Sequence, residues 1–239
     1  MAYYDGFVIP VPTADKAKFV EHAERMDKMF LDFGARQVVE AWSDNIAPGK
    51  VTDFRRAVDA RDDESVAFSW VEWPDKATRD AAFKKMEADE AMMNEPMPFD
   101  GKRMIFGGFE PLVVEGEDKR GAFVQGFVLP VRNKDAYRKM AAEAWPFFER
   151  YGALKVVETW QDDVPEGKHT DFFRAVKTEP GESVVFSYML WPSREVCDAA
   201  SEKMQSDPEM KMPDEMPFDP QRMIYAGFEP VVELEKQDA

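Results

Sequence analysis

The residues that could do chemistry in this chain occur twice, in the same order and at nearly the same spacing. Each set has a carboxylate, a tryptophan two residues later and an arginine further on. The two sets are Glu40, Trp42 and Arg56, and Glu158, Trp160 and Arg174. If the segment between tryptophan and arginine turns as a β-hairpin, side-chain alternation puts each set on one face of a sheet. We therefore predict two cross-strand pairs, Glu40 with Arg56 and Glu158 with Arg174.

Two interpretations of these pairs follow from the same chemistry. A partly buried arginine usually has a carboxylate partner, so each pair is expected to be an ion pair that holds the fold. In the alternative interpretation, Arg56 or Arg174 binds an anionic or carbonyl-bearing ligand at the polar floor of a pocket. We favour the structural interpretation and keep the second one open.

Further candidates for a binding site lie near these pairs. Ser69 and Ser187 alternate with aromatic residues on their strands and could leave room for a ligand. His169 has no histidine counterpart in the other copy, and a general base is one role for it. With two histidines and one cysteine, the chain is predicted to hold no metal. No nucleotide-binding fingerprint is present either, and we predict no cofactor.

An internal repeat determines the domain organisation. The segment Gly6-Phe7-Val8-Ile9-Pro10-Val11 returns at residues 126–131 with one substitution, and many identities follow at a constant offset. We predict two domains, residues 1–115 and 122–235, joined by a charged, glycine-containing linker at residues 116–121.

Each repeat is predicted to fold as β-α-β-β-β-α-β. In the first copy, apolar patterns indicate strands at 3–11, 36–44, 52–59, 64–73 and 102–113, and helices at 14–33 and 76–89. Asp75 and Ser193 are suitable N-caps for the second helix of each copy. This order is typical of an α+β ferredoxin-like fold, βαββαβ, with an extra hairpin strand. One sheet face takes the helices and the other needs a partner, so we expect the two sheets to pack as an intramolecular pseudo-dimer.

Three motifs carry a resemblance to a known family. They are GFVxPV, the GK-T-F-RAV segment, and the MPFD-xx-RMI…GFE pattern that closes each repeat. Together they resemble the YbaA-like family of bacterial domains of unknown function. The resemblance implies membership of the dimeric α/β-barrel superfamily, in which two ferredoxin-like sheets form a barrel with a pocket. It implies no reaction, because that superfamily includes enzymes and plain binding proteins alike.

The charge of the chain limits its partners. A formal net charge of −16 without a basic run disfavours nucleic acid and acidic membrane surfaces. We expect a self-contained monomer, located in the cytoplasm because a single cysteine cannot form an internal disulfide.

Three functional hypotheses remain open. The first is a protein that binds a small apolar or aromatic molecule in a cavity between the two sheets. The second is a cofactor-independent enzyme, similar to a monooxygenase or an isomerase, acting on such a molecule. The third is a structural or regulatory interaction module whose inter-sheet space is packed core.

Overall fold

The computed structural model describes residues 1–43, 45–90, 94–209 and 215–236. The first repeat begins with strand β1, followed by one 3₁₀ turn at Thr13–Asp15. Its elements are β1 (Tyr3–Pro12), α1 (Lys16–Asp32), β2 (Gln37–Ser43), α2 (Phe54–Ala57), β3 (Glu64–Trp73), α3 (Lys76–Ala88) and β4 (Ile105–Gly116).

The second repeat has the same elements in the same order. They are β5 (Phe123–Val131), α4 (Lys134–Arg150), β6 (Lys155–Asp163), α5 (Phe172–Ala175), β7 (Ser183–Trp191), α6 (Arg194–Ser206) and β8 (Ile224–Glu235). The predicted caps are confirmed: Asp75 accepts a hydrogen bond from the amide of Thr78, and Ser193 accepts one from the amide of Val196.

All eight strands form one closed antiparallel barrel in the order β1-β3-β2-β8-β5-β7-β6-β4. Each repeat contributes four neighbouring strands, and the repeats join where β2 pairs with β8 and β4 pairs with β6. The predicted fold class, two tandem ferredoxin-like units that form an intramolecular dimeric α/β barrel, is confirmed. Closure leaves no free sheet edge among these strands.

The extra hairpin strand predicted at residues 52–59 is wrong. Residues Phe54–Ala57 form the short helix α2, whose N-cap Asp53 accepts a hydrogen bond from the amide of Arg56. Strand β2 has β3 on one side and β8 on the other, so no edge is left for a hairpin partner. Asp171 caps α5 in the same way in the second repeat.

The space inside the barrel is filled by aromatic side chains from both repeats. The rings of Phe68 and Phe186 stack with centroids 4.6 Å apart, and those of Trp70 and Tyr188 with centroids 4.0 Å apart. All four side chains are almost completely buried. The contact between the two sheets is therefore a packed core.

Two glycines make room for the central rings. A Cβ atom on Gly6 would lie 2.7 Å from the ring of Phe186, and one on Gly126 would lie 2.8 Å from the ring of Phe68. Each glycine thus accommodates a ring of the other repeat. This contact gives a physical reason for the glycine of the repeated GFVxPV motif.

We predict that Gly6→Ala and Gly126→Ala each lower the free energy of unfolding by about 1–3 kcal/mol, because a packed ring must move. Urea unfolding followed by circular dichroism measures the change. Gly101→Ala is the control, since its added Cβ would meet only the flexible end of Met97. Equal stability of all three variants would show that the rings have spare room.

Candidate functional site

The two arginines of the predicted cross-strand pairs lie in the short helices α2 and α5. Both side chains are more than half exposed, at 52% for Arg56 and 55% for Arg174. Arg56 donates to the carbonyl oxygen of Gly49 at 3.0 Å, and Arg174 makes the same contact with Gly167 at 2.6 Å. The predicted pairs with Glu40 and Glu158 are wrong, because the arginines are not on strands beside them.

An arginine–carboxylate pair does exist in each repeat, formed by the closing motif, and it is buried in the first repeat and partly buried in the second. Two nitrogen atoms of Arg103 donate to the two carboxylate oxygens of Glu64, each at 2.6 Å. Arg222 binds Glu182 in the same bidentate way, at 2.7 and 2.8 Å. The MPFD-xx-RM motif therefore ties the loop before the last strand to the start of β3 or β7.

Each sheet has an inner face that lines the barrel and an outer face that packs against the helices. The polar candidate residues of the sheet lie on the outer face. Strand alternation sends Phe68 and Trp70 into the barrel, so Ser69 points to the helix side. Trp42 packs against Phe19 of α1, with ring centroids 5.9 Å apart, and Glu40 shares its face. The predicted cavity between the two sheets is thus wrong, since aromatic rings fill that space.

An apolar cavity of about 380 Å³ lies instead on the outer face of the second sheet, beneath α4. Its walls are mostly aromatic rings, aliphatic groups and thioethers from α4, the sheet and the loop before β8. They include Phe127, Leu129, Met140, Ala141, Ala144, Phe147, Phe148, Met189, Met216, Phe218 and Met223. The volume falls within the usual range for small-molecule sites.

The polar end of this cavity is built around Glu158. The hydroxyl of Tyr137, on α4, donates to a carboxylate oxygen of Glu158 at 2.7 Å, and Ser187 lies directly opposite on β7. Burial raises the pKa of Glu158 above the ordinary glutamate value, while the hydrogen bonds of Tyr137 and Ser187 oppose that rise. Glu158 is partly exposed, and it lines the cavity. Its carboxylate can therefore meet a ligand in an apolar setting.

The first repeat has different chemistry at the equivalent place. Glu40 accepts a hydrogen bond from Ser69, and Phe19 stands where the second repeat has Tyr137. Burial raises the pKa of Glu40 to about 7, with the Ser69 hydrogen bond opposing the rise. Asp27, at the position of Trp145, is also buried, and no described residue bonds its Oδ2 atom. Burial, together with the charge of Glu40, raises the pKa of Asp27 well above its usual value.

The remaining candidates lie outside the cavity. The ring of Trp160 is covered by Lys134, whose Nζ atom lies 5.4 Å from the ring centroid. His169 lines a separate open cleft between the repeats, together with Lys102 and Phe106. The structure therefore brings Glu158 and Ser187 together in one pocket and leaves Arg174 and His169 out of it.

Sequence reasoning missed the two residues that distinguish the sites, Tyr137 and Asp27. Tyr137 lies on the buried face of α4, and the hydroxyl that it has and Phe19 lacks is the sequence signal of a polar role. Asp27 is an acid four residues after the buried Ala23, which places it on the same helical face. Comparing the two copies position by position would have identified both.

The other reactive side chains are the potential metal ligands and the thiol of Cys197. Within the described ranges, no group of three or more His, Cys, Asp or Glu side chains is placed to hold a metal ion. Burial raises the pKa of the Cys197 thiol to about 12, so the thiol stays protonated at neutral pH. No helix in the described part of the chain is long and apolar enough to cross a membrane.

The closed barrel of two ferredoxin-like halves, with its cavity beneath a helix, defines a single-chain dimeric α/β barrel. The chain belongs to the family described as "Protein of unknown function (DUF1428)", whose pattern matches residues 2–101 and again residues 122–220. Two matches in one chain confirm the tandem duplication.

Relatives and solved structures agree with this assignment. The protein YbaA of Escherichia coli K12, described as uncharacterized, is 56% identical over 114 residues, which is 46% of this chain and 97% of that relative. YbaA of Shigella flexneri gives the same values. Each relative thus corresponds to one repeat.

Two crystal structures share the fold over nearly the whole chain. A candidate monooxygenase from Lactobacillus acidophilus has a TM-score of 0.56 at 10% identity, covering 98% of this chain and 96% of that one. An anthrone oxidase-like protein has a TM-score of 0.55 at 14% identity, covering 99% and 94%. At such identities the likeness shows the fold alone.

Arg56 of the GK-T-F-RAV motif and Arg103 of the MPFD-xx-RMI motif should differ sharply in their effect on stability. We predict that Arg56→Ala changes the free energy of unfolding by about 0.5 kcal/mol or less, because the side chain is largely exposed. Arg103→Ala should cost about 3–5 kcal/mol, because it leaves the buried Glu64 without its partner. Urea titrations of both variants measure the difference, and a large loss in Arg56→Ala would show that its contacts with Asp53 and Gly49 stabilise the fold despite their exposure.

Proposed function

We propose that the second repeat binds a small, largely apolar aromatic molecule in the cavity beneath α4. The observation that carries the proposal is an apolar pocket with a single polar end. Rings such as Phe127 and Phe148 suit a flat aromatic ligand, and thioethers such as Met140 adapt to its outline. Glu158, Tyr137 and Ser187 supply the polar groups that orient it.

The candidate residues divide between the two repeats under this proposal. Glu158 and Ser187 belong to the binding site, and Glu40 and Ser69 occupy the corresponding positions in the first repeat. Trp42 and Trp160 support the adjoining strands. Arg56, Arg174 and His169 have no part in it.

A cofactor-independent enzyme is the second candidate, favoured by the carboxylate of Glu158. Burial raises its pKa, so it is a stronger base than a solvated glutamate. In such an enzyme Glu158 would take the proton from a ligand hydroxyl, leaving a carboxylic acid and a ligand oxyanion. That step is shared by an isomerase and by an oxygenase that uses O₂ directly.

The interaction-module hypothesis draws its support from the packed barrel interior, and it does not account for the cavity beneath α4.

We also propose that the chain acts as a monomer in the cytoplasm. The barrel that a dimer would otherwise complete is closed within one chain, and the single cysteine is buried.

Naphthalene tests the binding proposal, because it fills apolar space without making hydrogen bonds. With ¹³C-methyl methionine, NMR titration should shift the signals of the cavity residues Met140, Met189, Met216 and Met223. Ala144→Met introduces the side chain that the first repeat carries at the same position, Met26. We predict that it weakens naphthalene binding roughly tenfold or more, since overfilling a packed site costs about 1–3 kcal/mol.

Met26→Ala is the matched control in the first repeat and should leave the affinity unchanged. Thermal unfolding checks that both variants are folded. Absence of methionine shifts in the wild type, or equal affinity in Ala144→Met, would show that this cavity is not a binding site.

A further inference from the structure

Among the described residues, every ionisable side chain that lines the cavity beneath α4 is an acid. They are the carboxylic acids Glu143 and Glu158 and the phenol of Tyr137. Glu143 lies at the exposed surface of α4, whereas Glu158 lies at the inner, polar end. An organic acid bound there would place its own negative charge beside Glu158 without a cation to offset it.

The carboxylate of Glu158 has room to accept one more hydrogen bond. Tyr137 donates to its Oε2 atom, and Ser187 reaches the same carboxylate from β7. An ionised carboxylate offers about four lone-pair sites and donates nothing. A ligand atom that meets it must therefore be a donor.

Building on the proposed function, we infer that the cavity selects neutral aromatic molecules that bear a hydroxyl or a ring N–H group, with Glu158 as the acceptor. Molecules of the same shape that lack a donor bind less tightly, and organic acids are rejected. The selectivity arises because a hydrogen bond to a charged acceptor within apolar walls is stronger than one between neutral groups.

Tyr137 is a positioning residue in this arrangement. Its hydroxyl fixes the orientation of Glu158, and its hydrogen bond lowers the pKa of that carboxyl against the effect of burial. Facing Glu158 are Tyr137 from α4 and Ser187 from β7, with Glu143 at the outer rim of the cavity. Loss of the Tyr137 hydroxyl should therefore raise the pKa of Glu158 further.

Naphthalene, 2-naphthol and 2-naphthoate share one ring system. Comparing them separates the effects of the apolar ring, of a hydrogen-bond donor and of a negative charge on binding. In methionine-methyl NMR titrations at pH 7.5, we predict that 2-naphthol binds roughly ten- to a hundredfold more tightly than naphthalene. No binding of 2-naphthoate is expected at the same concentrations. Naphthalene binding without a preference for 2-naphthol would overturn this inference while leaving the proposed function intact. Failure of all three probes would remove the proposed function itself.

Two substitutions test whether Glu158 is the group that accepts the hydrogen bond of 2-naphthol. Glu158→Gln keeps the size and removes the charge, so it should reduce the preference for 2-naphthol over naphthalene to a few-fold. Glu40→Gln is the matched control in the first repeat and should retain the full preference. A full preference in Glu158→Gln would show that another group is the acceptor.

Tyr137→Phe introduces the residue of the first repeat and provides a test that does not rely on Glu158→Gln being folded. The preference for 2-naphthol depends on ionised Glu158, so it is present above the pKa of Glu158 and is lost as the pH falls through it. In Tyr137→Phe that loss should occur at a higher pH than in the wild type. An unchanged pH profile would show that Tyr137 does not act through Glu158.

Discussion

The stacked rings of Phe68 and Phe186 are the contact on which the rest of this structure depends. Each ring lies over a glycine of the other repeat, so each half supplies both a ring and the space for its partner's ring. Neither sheet could bury this face alone, because its opposite face is already covered by helices. Barrel closure follows from the same contact, since two sheets held face to face bring β2 to β8 and β4 to β6. A filled barrel in turn restricts ligand space to the outer faces, beneath the helices.

Each repeat supplies a ring and a glycine to the barrel interior, whereas the side chains on the outer faces of the two repeats differ. Beneath the first helix of each repeat, Phe19 is replaced by Tyr137 and Asp27 by Trp145. Under the second helix, Arg79 is buried and bonds Asp5 at 3.0 Å, whereas the second repeat has Cys197 at the position of Arg79. Such changes alter one outer face at a time, although that face also touches the other repeat: Arg79 bonds Asp163 at 2.6 Å. Changing one of the central rings disturbs the packing of both repeats.

The sequence was sufficient to predict the duplication, the order of most elements and the pairing of the two sheets, because these depend on local periodicity and on identities between copies. The strand predicted at residues 52–59 was wrong. Phe54, Ala57 and Val58 are apolar and favoured a strand, whereas the structure has helix α2 there. The capping signal of Asp53, three residues before Arg56, was the competing cue for a helix. Alternation also showed that Glu40 and Trp42 share a face without showing which face, since both sides of the sheet are apolar. The cavity itself depends on the summed volumes of side chains far apart in the chain, which no local pattern records.

A fused chain removes a constraint that two identical subunits would impose. In a barrel made of two copies of one chain, symmetry repeats every substitution, so a tyrosine beside one glutamate would appear beside both. Here Tyr137 is present once, and the first repeat has Phe19 at its position and places Asp27 near Glu40 instead. The buried carboxyl pair of the first repeat is electrostatically costly, and its raised pKa values favour the protonated forms over two adjacent charges. The second repeat has a single carboxyl at this place, with a phenol to stabilise its ionised form. Fusion thus allows the two halves to hold different ionisable groups beneath the same helix, and that difference is available only after duplication.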